Sequence, residues 1–345
     1  MNRKKFISSL LPLGVAATGL GQLKAAHTNS PGPKTDTAVY IPPYLNPGDT
    51  IGILCPAGNI TREEIQPAVN KIMEWGFRVK IGDTVGKKDF TFGGTDDERL
   101  ADLQQMFDDK QIRAIMPARG GYGLIRIIDR LNFDKFVQHP KWIIGFSDLT
   151  VLHSHIHRHF NIATIHSKMC NSFPDDWSTV EPAQIQSIES IRECLTGKQM
   201  EYMAIPNIKN KPGTVTGQLV GGNLKTLESL AGSRSDINTN NKILFLEDTG
   251  EYLYSIDRMF WNLERSGKLS RLKGLIMGGF KIKKDDPGEE FGRSVEEMLL
   301  EKIKKYDYPV CFDFPVGHQK NNMALKCGLM HQLQVDEKIV SLKEI

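Results

Sequence analysis

Three polar residues with complementary chemistry each come at the end of an apolar stretch. Ser147 follows the run 142–146, Glu247 follows Ile-Leu-Phe-Leu, and His318 follows Pro-Val-Gly after a predicted strand. A serine, an acid and a histidine in this chain order are typical of hydrolases with a nucleophile elbow. Together they predict acyl transfer by a serine triad, which is defined by roles rather than by positions.

Ser147 stands where an apolar run ends at Gly-Phe-Ser-Asp and a helical pattern follows at once. A strand that turns sharply into a helix exposes the turn residue, and the helix N-terminus adds a partial positive charge there. The backbone N–H of Asp148 could then face a developing oxyanion. The alternative is that Ser147 is a helix N-cap, a role that Asp148 would also suit. The familiar elbow has a glycine two residues after the nucleophile, and here that position is Leu149.

The segment Arg-Gly-Gly-Tyr-Gly at 119–123 follows a predicted strand. Glycines at such a place allow close backbone approach and direct N–H groups at an anion. The spacing matches neither a P-loop nor a dinucleotide-binding fingerprint. An acyl-transfer site needs two oxyanion donors, so this glycine loop is predicted to supply the second.

The orienting carboxylate is not settled by the pattern. Glu247 ends a buried run, which is costly unless the carboxylate is paired or functional. Asp248 and Glu251 stand close by. At least two of these three acids are predicted to be solvated or to cap local structure.

A rival site is the alternating run of His153, His155, His157 and His159. On a helix the first and third share one face, and the second and fourth share another. An i, i+4 histidine pair can bind zinc, but the H-E-x-x-H pattern and a third ligand are missing. The favoured interpretation is an exposed helical face without a metal.

Five cysteines are scattered along the chain, with neither a C-x-x-C pair nor a metal-binding spacing. Cys55 ends an apolar strand and is predicted to be a small core residue rather than a nucleophile.

Strands and helices alternate from about residue 49 to 194, which predicts a parallel sheet covered by helices. Sites in such sheets form at the carboxyl ends of the strands. The predicted strands are 51–55, 77–81, 112–116 and 142–146, and the predicted helices are 63–75 and one that Thr95 opens with a capping box.

The second half is less regular. Its predicted strands are 242–246, 275–279 and 309–314, with short strands from residue 330, and its predicted helices are 255–264 and 294–304. The predicted organisation is therefore an N-terminal α/β domain at 44–195, a connector at 196–212 and a C-terminal domain at 213–345.

The N-terminus has the features of an export signal. Three basic residues at 3–5 precede the apolar segment 6–20, and Ala25-Ala26 offers a cleavage site. The apolar segment is shorter than the ~20 residues that a membrane-spanning helix needs. A signal peptide at 1–26, a spacer at 27–43 and an exported, periplasmic location are predicted, without a stable membrane span.

The bulk composition fits a soluble globular chain, with 40% hydrophobic and 25% charged residues. The net charge of +3 is small and dispersed, and no basic stripe carries interleaved aromatic residues. The sequence therefore gives no indication of nucleic-acid binding.

An ordered set of motifs resembles the LD-carboxypeptidases, serine peptidases that include the microcin C immunity peptidase. The matching stretches are 49–53, 94–99, 118–123, 144–148, 164–166, 221–224, 246–251, 256–258 and 314–318. They run in order from about residue 44 to the C-terminus, so the resemblance covers nearly the whole chain.

The resemblance implies a Rossmann-like N-terminal domain, a smaller α/β C-terminal domain and a dimer. It implies that Ser147 attacks the scissile carbonyl, that His318 transfers the proton and that Glu247 orients His318. The oxyanion would lie between the N–H groups of Gly121 and Asp148, and neither a metal nor another cofactor is implied.

The substrate implied by the resemblance is a murein tetrapeptide, from which the terminal D-alanine is released. Familiar members are cytoplasmic, so the predicted export signal is a departure that bears on the exact substrate. The alternatives are cleavage of a peptide-nucleotide conjugate, a non-catalytic cell-wall peptide-binding protein and a zinc hydrolase. Arg119, Lys168 and Arg258 are equal candidates for holding the substrate carboxylate.

Overall fold

The computed structural model describes residues 38–345. The predicted signal peptide and the first part of the predicted spacer lie outside the described residues. Within 38–345, none of the helices combines the length and the apolar character that crossing a bilayer requires.

The first sheet has four parallel strands in the order β2-β1-β3-β4. Its strands are β1 (Thr50–Leu54), β2 (Arg78–Ile81), β3 (Ile112–Pro117) and β4 (Trp142–Ile143). The helices of this half are α1 (Gln66–Glu74), α2 (Asp96–Asp108), α3 (Asp134–Gln138), α4 (Thr150–Phe160) and α5 (Pro182–Leu195). This arrangement confirms the predicted Rossmann-like parallel sheet.

Local signals in the sequence explain several element ends. The capping box at the start of α2 is present, because Thr95 N–H donates to Glu98 Oε2 at 2.8 Å and the Thr95 hydroxyl accepts from Glu98 N–H at 3.2 Å. The fourth strand is shorter than predicted. Gly145 turns the chain with a φ of 148°, so regular pairing stops before it.

The second sheet has seven strands in the order β10-β9-β8-β7-β12-β13-β6. The strands β7 to β10 are parallel, and β12, β13 and β6 are antiparallel. The bounds are β6 (Glu201–Ala204), β7 (Gly213–Asn223), β8 (Lys242–Thr249), β9 (Gly274–Lys281), β10 (Val310–Cys311), β12 (Met330–Val335) and β13 (Val340–Glu344). Its helices are α6 (Leu224–Ser229), α7 (Leu253–Arg265) and α8 (Val295–Ile303). This half is the predicted second α/β unit.

The strand β8 extends beyond the apolar run that predicted it. Asp248 and Thr249 still pair with β9, with an irregular register between Leu246 and Asp248. Glu247 lies at this irregularity. Irregular registers in strands re-aim side chains and are frequent beside active sites.

Two features of the fold connect the first half of the chain to the second. The strands β5 (Thr164–His166) and β11 (Leu325–Cys327) form a small antiparallel sheet. One buried apolar cluster also contains residues of both large sheets, such as Ile53 and Phe245. Part of the predicted connector at 196–212 is the edge strand β6, so that segment is not all linker.

Candidate active site

Ser147 lies at the turn between β4 and α4, and its backbone is in the left-handed region with a φ of 62°. This conformation is strained for a residue other than glycine, and strained residues of this kind cluster at functional turns. The turn is tightly packed: a Cβ atom on Gly145 would come within 3.0 Å of Leu149 Cγ. No side chain caps the turn or α4, which speaks against the alternative that Ser147 or Asp148 is a helix cap.

The glycine loop after β3 packs directly against this turn. A Cβ on Gly120 would lie 3.2 Å from Ser147 Oγ, so a larger residue would crowd the hydroxyl. Gly121 follows with a φ of 100°. The Gly120 carbonyl accepts from Gly58 N–H at 2.9 Å, which fixes the loop to the segment that follows β1.

Buried polar side chains hold the other end of the glycine loop. Asp148 Oδ2 accepts from Leu124 N–H at 2.9 Å, and burial raises the pKa of Asp148 to about 6. Arg99 is fully buried and donates through Nη1 to Gly123 O at 3.0 Å and to Pro56 O at 2.6 Å. The Asp148 side chain therefore joins the glycine loop to the Ser147 turn.

Glu247 and His318 form a close pair at the second sheet. His318 Nδ1 lies 2.5 Å from Glu247 Oε2, and the carboxylate is fully buried. The pair depends on Gly317, because a Cβ there would lie only 2.3 Å from Glu247 Cβ. Engaging Nδ1 with the carboxylate leaves Nε2 of His318 available for proton transfer.

The His318 ring also reaches the Ser147 turn. Its centroid lies 4.6 Å from the ring of Phe146, the residue before Ser147. Glu251 lies in another setting, where its Oε2 accepts from Ser255 Oγ at 2.8 Å. The structure therefore pairs His318 with Glu247 rather than with Glu251, and it places the His318 ring against the residue that precedes Ser147.

A second histidine contacts Glu247. His166 Nε2, at the end of β5, lies 3.7 Å from Glu247 Oε1, and both side chains are fully buried. The distance is too long for a hydrogen bond, and Oε1 has no hydrogen-bond partner among the described residues. Burial alone would raise the pKa of Glu247, but the interactions with His166 and His318 lower it overall. No role for His166 was evident from its position in the sequence.

The ends of β7 and β8 meet the first half of the chain beside this site. Asn223 pairs with Glu247 in the β7–β8 register, and its N–H donates to Thr150 Oγ1 at 3.1 Å. A Cβ on Gly222 would lie 2.5 Å from the same oxygen. The Gly-Gly-Asn motif thus allows β7 to abut the start of α4.

The prediction of an exposed histidine face on α4 is wrong for His153 and His155, whereas His159 is exposed. His153 packs towards Gly145 of the serine turn, and His155 packs towards the segment that contains Ser235, so both side chains are buried. Each histidine of the run contacts the protein: His153 Nε2 with Gly145 O, His155 Nδ1 with Ser235 Oγ, His157 Nε2 with Thr164 Oγ1, and His159 Nε2 with Arg234 O. Among residues 38–345, no group of three or more potential metal ligands is present.

All five cysteines are buried free thiols. Cys55 is fully buried, as predicted for a core residue, and burial raises its pKa to about 12. A thiol in that state is a poor nucleophile.

The strained serine turn, the adjacent glycine loop and the buried Glu–His pair, set at the carboxyl ends of parallel strands, define a serine hydrolase of α/β type. Two sequence profiles make this class more specific. The LD-carboxypeptidase N-terminal domain matches residues 51–167, and the LD-carboxypeptidase C-terminal domain matches residues 216–333.

Relatives and solved structures agree with the profiles. The probable murein peptide carboxypeptidase of Bacillus subtilis is 33% identical over 87% of this chain and 93% of its own length. The microcin C7 self-immunity protein of Escherichia coli is 27% identical over 86% of this chain and 94% of its own. The crystal structure of muramoyltetrapeptide carboxypeptidase from Oxalobacter formigenes superposes with a TM-score of 0.76 at 26% identity, over 86% of this chain and 98% of that one. The chain belongs to the LD-carboxypeptidase family of serine peptidases.

Proposed function

We propose that this protein is a serine L,D-carboxypeptidase that releases the C-terminal D-alanine of murein tetrapeptides. The observation that carries the proposal is the buried Glu247–His318 pair, whose imidazole packs against the residue before Ser147. The names of the relatives support the substrate class.

Ser147 Oγ attacks the carbonyl of the diamino acid's L-centre, while His318 Nε2 takes the serine proton. Glu247 keeps the ring oriented through Nδ1 and stabilises the imidazolium that forms. The N–H groups of Gly121 and Asp148 receive the negative charge of the tetrahedral intermediate. His318 then protonates the leaving amine of D-alanine, and water hydrolyses the acyl-enzyme with His318 as the base. These steps require neither a metal nor another cofactor.

Exopeptidase selectivity requires a cleft with a closed end. The Gly120–Gly121 loop on one side and the loop carrying His318 on the other are the elements that would close it. A substrate held there by its terminal carboxylate presents one bond to Ser147, so the stem peptide is not cut internally.

The mechanism is tested by comparing the wild type with Ser147→Ala on a purified murein tetrapeptide. Ser147→Ala is expected to lose at least ~10³-fold in kcat and to keep its thermal unfolding midpoint within a few degrees. A serine-directed acylating agent is expected to inhibit the wild type, and a chelator to leave it active. A fully active Ser147→Ala protein would rule the mechanism out.

The same assay separates the alternatives. Loss of activity with a chelator would indicate the zinc hydrolase. Binding without turnover would indicate the non-catalytic peptide-binding protein. Faster cleavage of a peptide-nucleotide conjugate than of the tetrapeptide would indicate the microcin-type peptidase.

Export and dimer formation are also proposed, on the basis of the N-terminal sequence and the family resemblance. The mature protein is expected to begin near His27 and to reside in the periplasm, where it would act on peptide stems of the wall. N-terminal sequencing of protein isolated from native cells tests this, and an intact Met1 would contradict it. Sedimentation equilibrium would test the homodimer.

A further inference from the structure

Four lysines of the described chain are buried, and one of them differs from the rest. Lys302 and Lys326 each contact a carboxylate, that of Asp257 and that of Glu344, respectively. Lys141 donates to two backbone carbonyls, Met106 O at 2.9 Å and Asp109 O at 2.7 Å. Burying an ammonium group is costly unless such partners replace its water.

Lys168 is the exception. It is 7% exposed, and its ammonium makes one hydrogen bond, a long one of 3.3 Å to Gln319 O. Among the described residues, no carboxylate contributes to the electrostatic setting of this ammonium, which is governed by burial. Burial alone lowers the pKa of Lys168 to about 8, which leaves the group mostly cationic at neutral pH. The ammonium has three N–H donors, and only one of them has a partner, a weak one. The other donors are therefore available to bind an anion.

The position of Lys168 relates this capacity to the active site. Gln319, its acceptor, directly follows His318. Met169, the next residue, packs against the glycine loop and the serine turn: Cβ atoms on Gly120 and Gly145 would lie 3.3 Å from its Cε and 3.0 Å from its Sδ, respectively. Lys168 therefore lies between the loop of the proposed base and the turn of the proposed nucleophile.

The other two candidate cations, Arg119 and Arg258, are less suited to binding a substrate carboxylate. Arg119 is exposed and donates to Asn59 O at 3.1 Å. Arg258 is exposed and lies over the ring of Tyr254 at 5.4 Å. Water screens an exposed cation, whereas a desolvated one discriminates more strongly between a charged and a neutral ligand.

We infer that Lys168 binds the α-carboxylate of the substrate's C-terminal residue and so selects free C-termini. The inference rests on the proposed carboxypeptidase function and names the specificity residue of the same site. In this role Lys168 makes a charge-assisted hydrogen bond to the carboxylate, which holds the last amide bond at Ser147.

The test is a cycle of two enzymes and two substrates. The enzymes are the wild type and Lys168→Met, which keeps an unbranched side chain of similar length without the charge. The substrates are the tetrapeptide ending in D-alanine and its C-terminal amide. In the wild type, kcat/KM is expected to be about 10- to 100-fold higher for the free acid, a range typical of one charged hydrogen bond. In Lys168→Met, this preference is expected to fall to within a few-fold.

Two controls keep the cycle decisive. Arg119→Met is expected to retain the wild-type preference for the free acid. Lys168→Met is expected to unfold at the same or a higher temperature, because it removes an incompletely compensated buried charge. Should Lys168→Met fail to fold, Lys168→Gln, which keeps a polar group without charge, takes its place in the cycle.

The outcomes distinguish the inference from the proposed function. If the wild type releases alanine and Lys168→Met keeps the full preference for the free acid, the role of Lys168 is overturned and the proposed function stands. Loss of the preference in Arg119→Met instead would also overturn it. If the wild type cleaves the terminal peptide bond of neither substrate, releasing neither alanine from the free acid nor alaninamide from the amide, the proposed function fails, and the inference fails with it.

Discussion

At the scale of single residues, the site is organised around one buried carboxylate. Glu247 has His318 on one oxygen at 2.5 Å and His166 near the other at 3.7 Å. Two imidazoles around one carboxylate keep it ionised despite its burial, which is why the pKa of Glu247 is lowered. An ionised Glu247 can stabilise the imidazolium form of His318 during catalysis.

Replacing the carboxylate tests its assignment. Glu247→Gln is expected to lower kcat by about 10²- to 10⁴-fold, less than the loss of the nucleophile, because an orienting group is partly dispensable. Glu251→Gln is the matched control, since the Glu251 carboxylate accepts from Ser255 Oγ, whereas His318 Nδ1 is bonded to Glu247. Steady-state rates of alanine release measure both. A crippled Glu251→Gln beside an active Glu247→Gln would show that the wrong carboxylate was chosen.

His166 is expected to act as a positioning residue through Glu247. His166→Phe keeps an aromatic ring against Phe245, whose centroid lies 4.9 Å away, but removes the ring nitrogens. Without His166 the pKa of Glu247 rises, so protonation at acid pH disables a larger share of the enzyme. The acid limb of the kcat/KM profile is therefore expected to move to higher pH. His331→Phe, at another buried histidine, is the control and is expected to leave the limb in place.

The sequence identifies some of these residues better than others. Ser147, Glu247 and His318 could be found because each ends an apolar run, where a polar residue calls for an explanation. His166 also ends a short strand, but its contact with Glu247 joins positions far apart in the chain, and no local pattern encodes it. For the same reason the sequence left Arg119, Lys168 and Arg258 equivalent, since burial separates them and is set by tertiary packing.

At the scale of secondary-structure elements, the site depends on where strands end and how closely loops approach them. Helix and strand periodicity predicted the main elements, and the capping box located the start of α2. The extent of β4 and β8 could not be predicted. Strand ends depend on backbone pairing with neighbours, such as that of Asp248 with Phe280, rather than on the apolar run itself.

The approach of the His318 loop to β8 can be tested at Gly317. Gly317→Ala is expected to lower kcat by at least ~10²-fold and to destabilise the fold by ~2–4 kcal/mol, because its Cβ would lie 2.3 Å from Glu247 Cβ. Gly250→Ala is the matched control: its φ of 81° resembles the 98° of Gly317, but its Cβ would meet no atom within 4 Å. That control is expected to cost only ~1 kcal/mol from backbone strain. Similar kinetics for the two variants would contradict the close packing.

At the scale of the whole molecule, each half of the chain supplies part of the site. The parallel sheet of the first half carries Ser147 and the glycine loop, and the second sheet carries Glu247 and leads to His318. Contacts such as Asn223 N–H to Thr150 Oγ1 at 3.1 Å hold the two parts together. The alternation of predicted strands and helices indicates this two-part α/β organisation. The close packing of the two halves against each other could not be predicted from the sequence.

Stability of the whole fold is expected to depend on pH through Asp148, whose pKa is raised by burial to about 6 from an ordinary value of 3.8. The folded state binds this proton more tightly than the unfolded state. The contribution of protonated Asp148 to the free energy of unfolding is therefore fully present below about pH 4 and is lost as the pH rises through about 6.

Asp148→Asn should remove this dependence. Its free energy of unfolding relative to the wild type is expected to rise by up to about 3 kcal/mol between pH 4 and pH 7, at about 1.4 kcal/mol per pKa unit. Urea unfolding of both proteins across that range measures it. A difference that stays constant with pH would show that Asp148 is ionised in the fold like an exposed carboxylate.

The most direct test of the central claim is the stereochemistry of the bond that is cut. Murein tetrapeptide ending in D-alanine and its counterpart ending in L-alanine are incubated with the enzyme, and mass spectrometry follows free alanine and peptide fragments over time. The wild type is expected to release a single alanine from the D-terminal peptide, to process the L-terminal peptide far more slowly and to yield no internal fragments. Equal rates for the two peptides, or internal fragments from either, would contradict the L,D-carboxypeptidase assignment even if Ser147 proves to be the nucleophile.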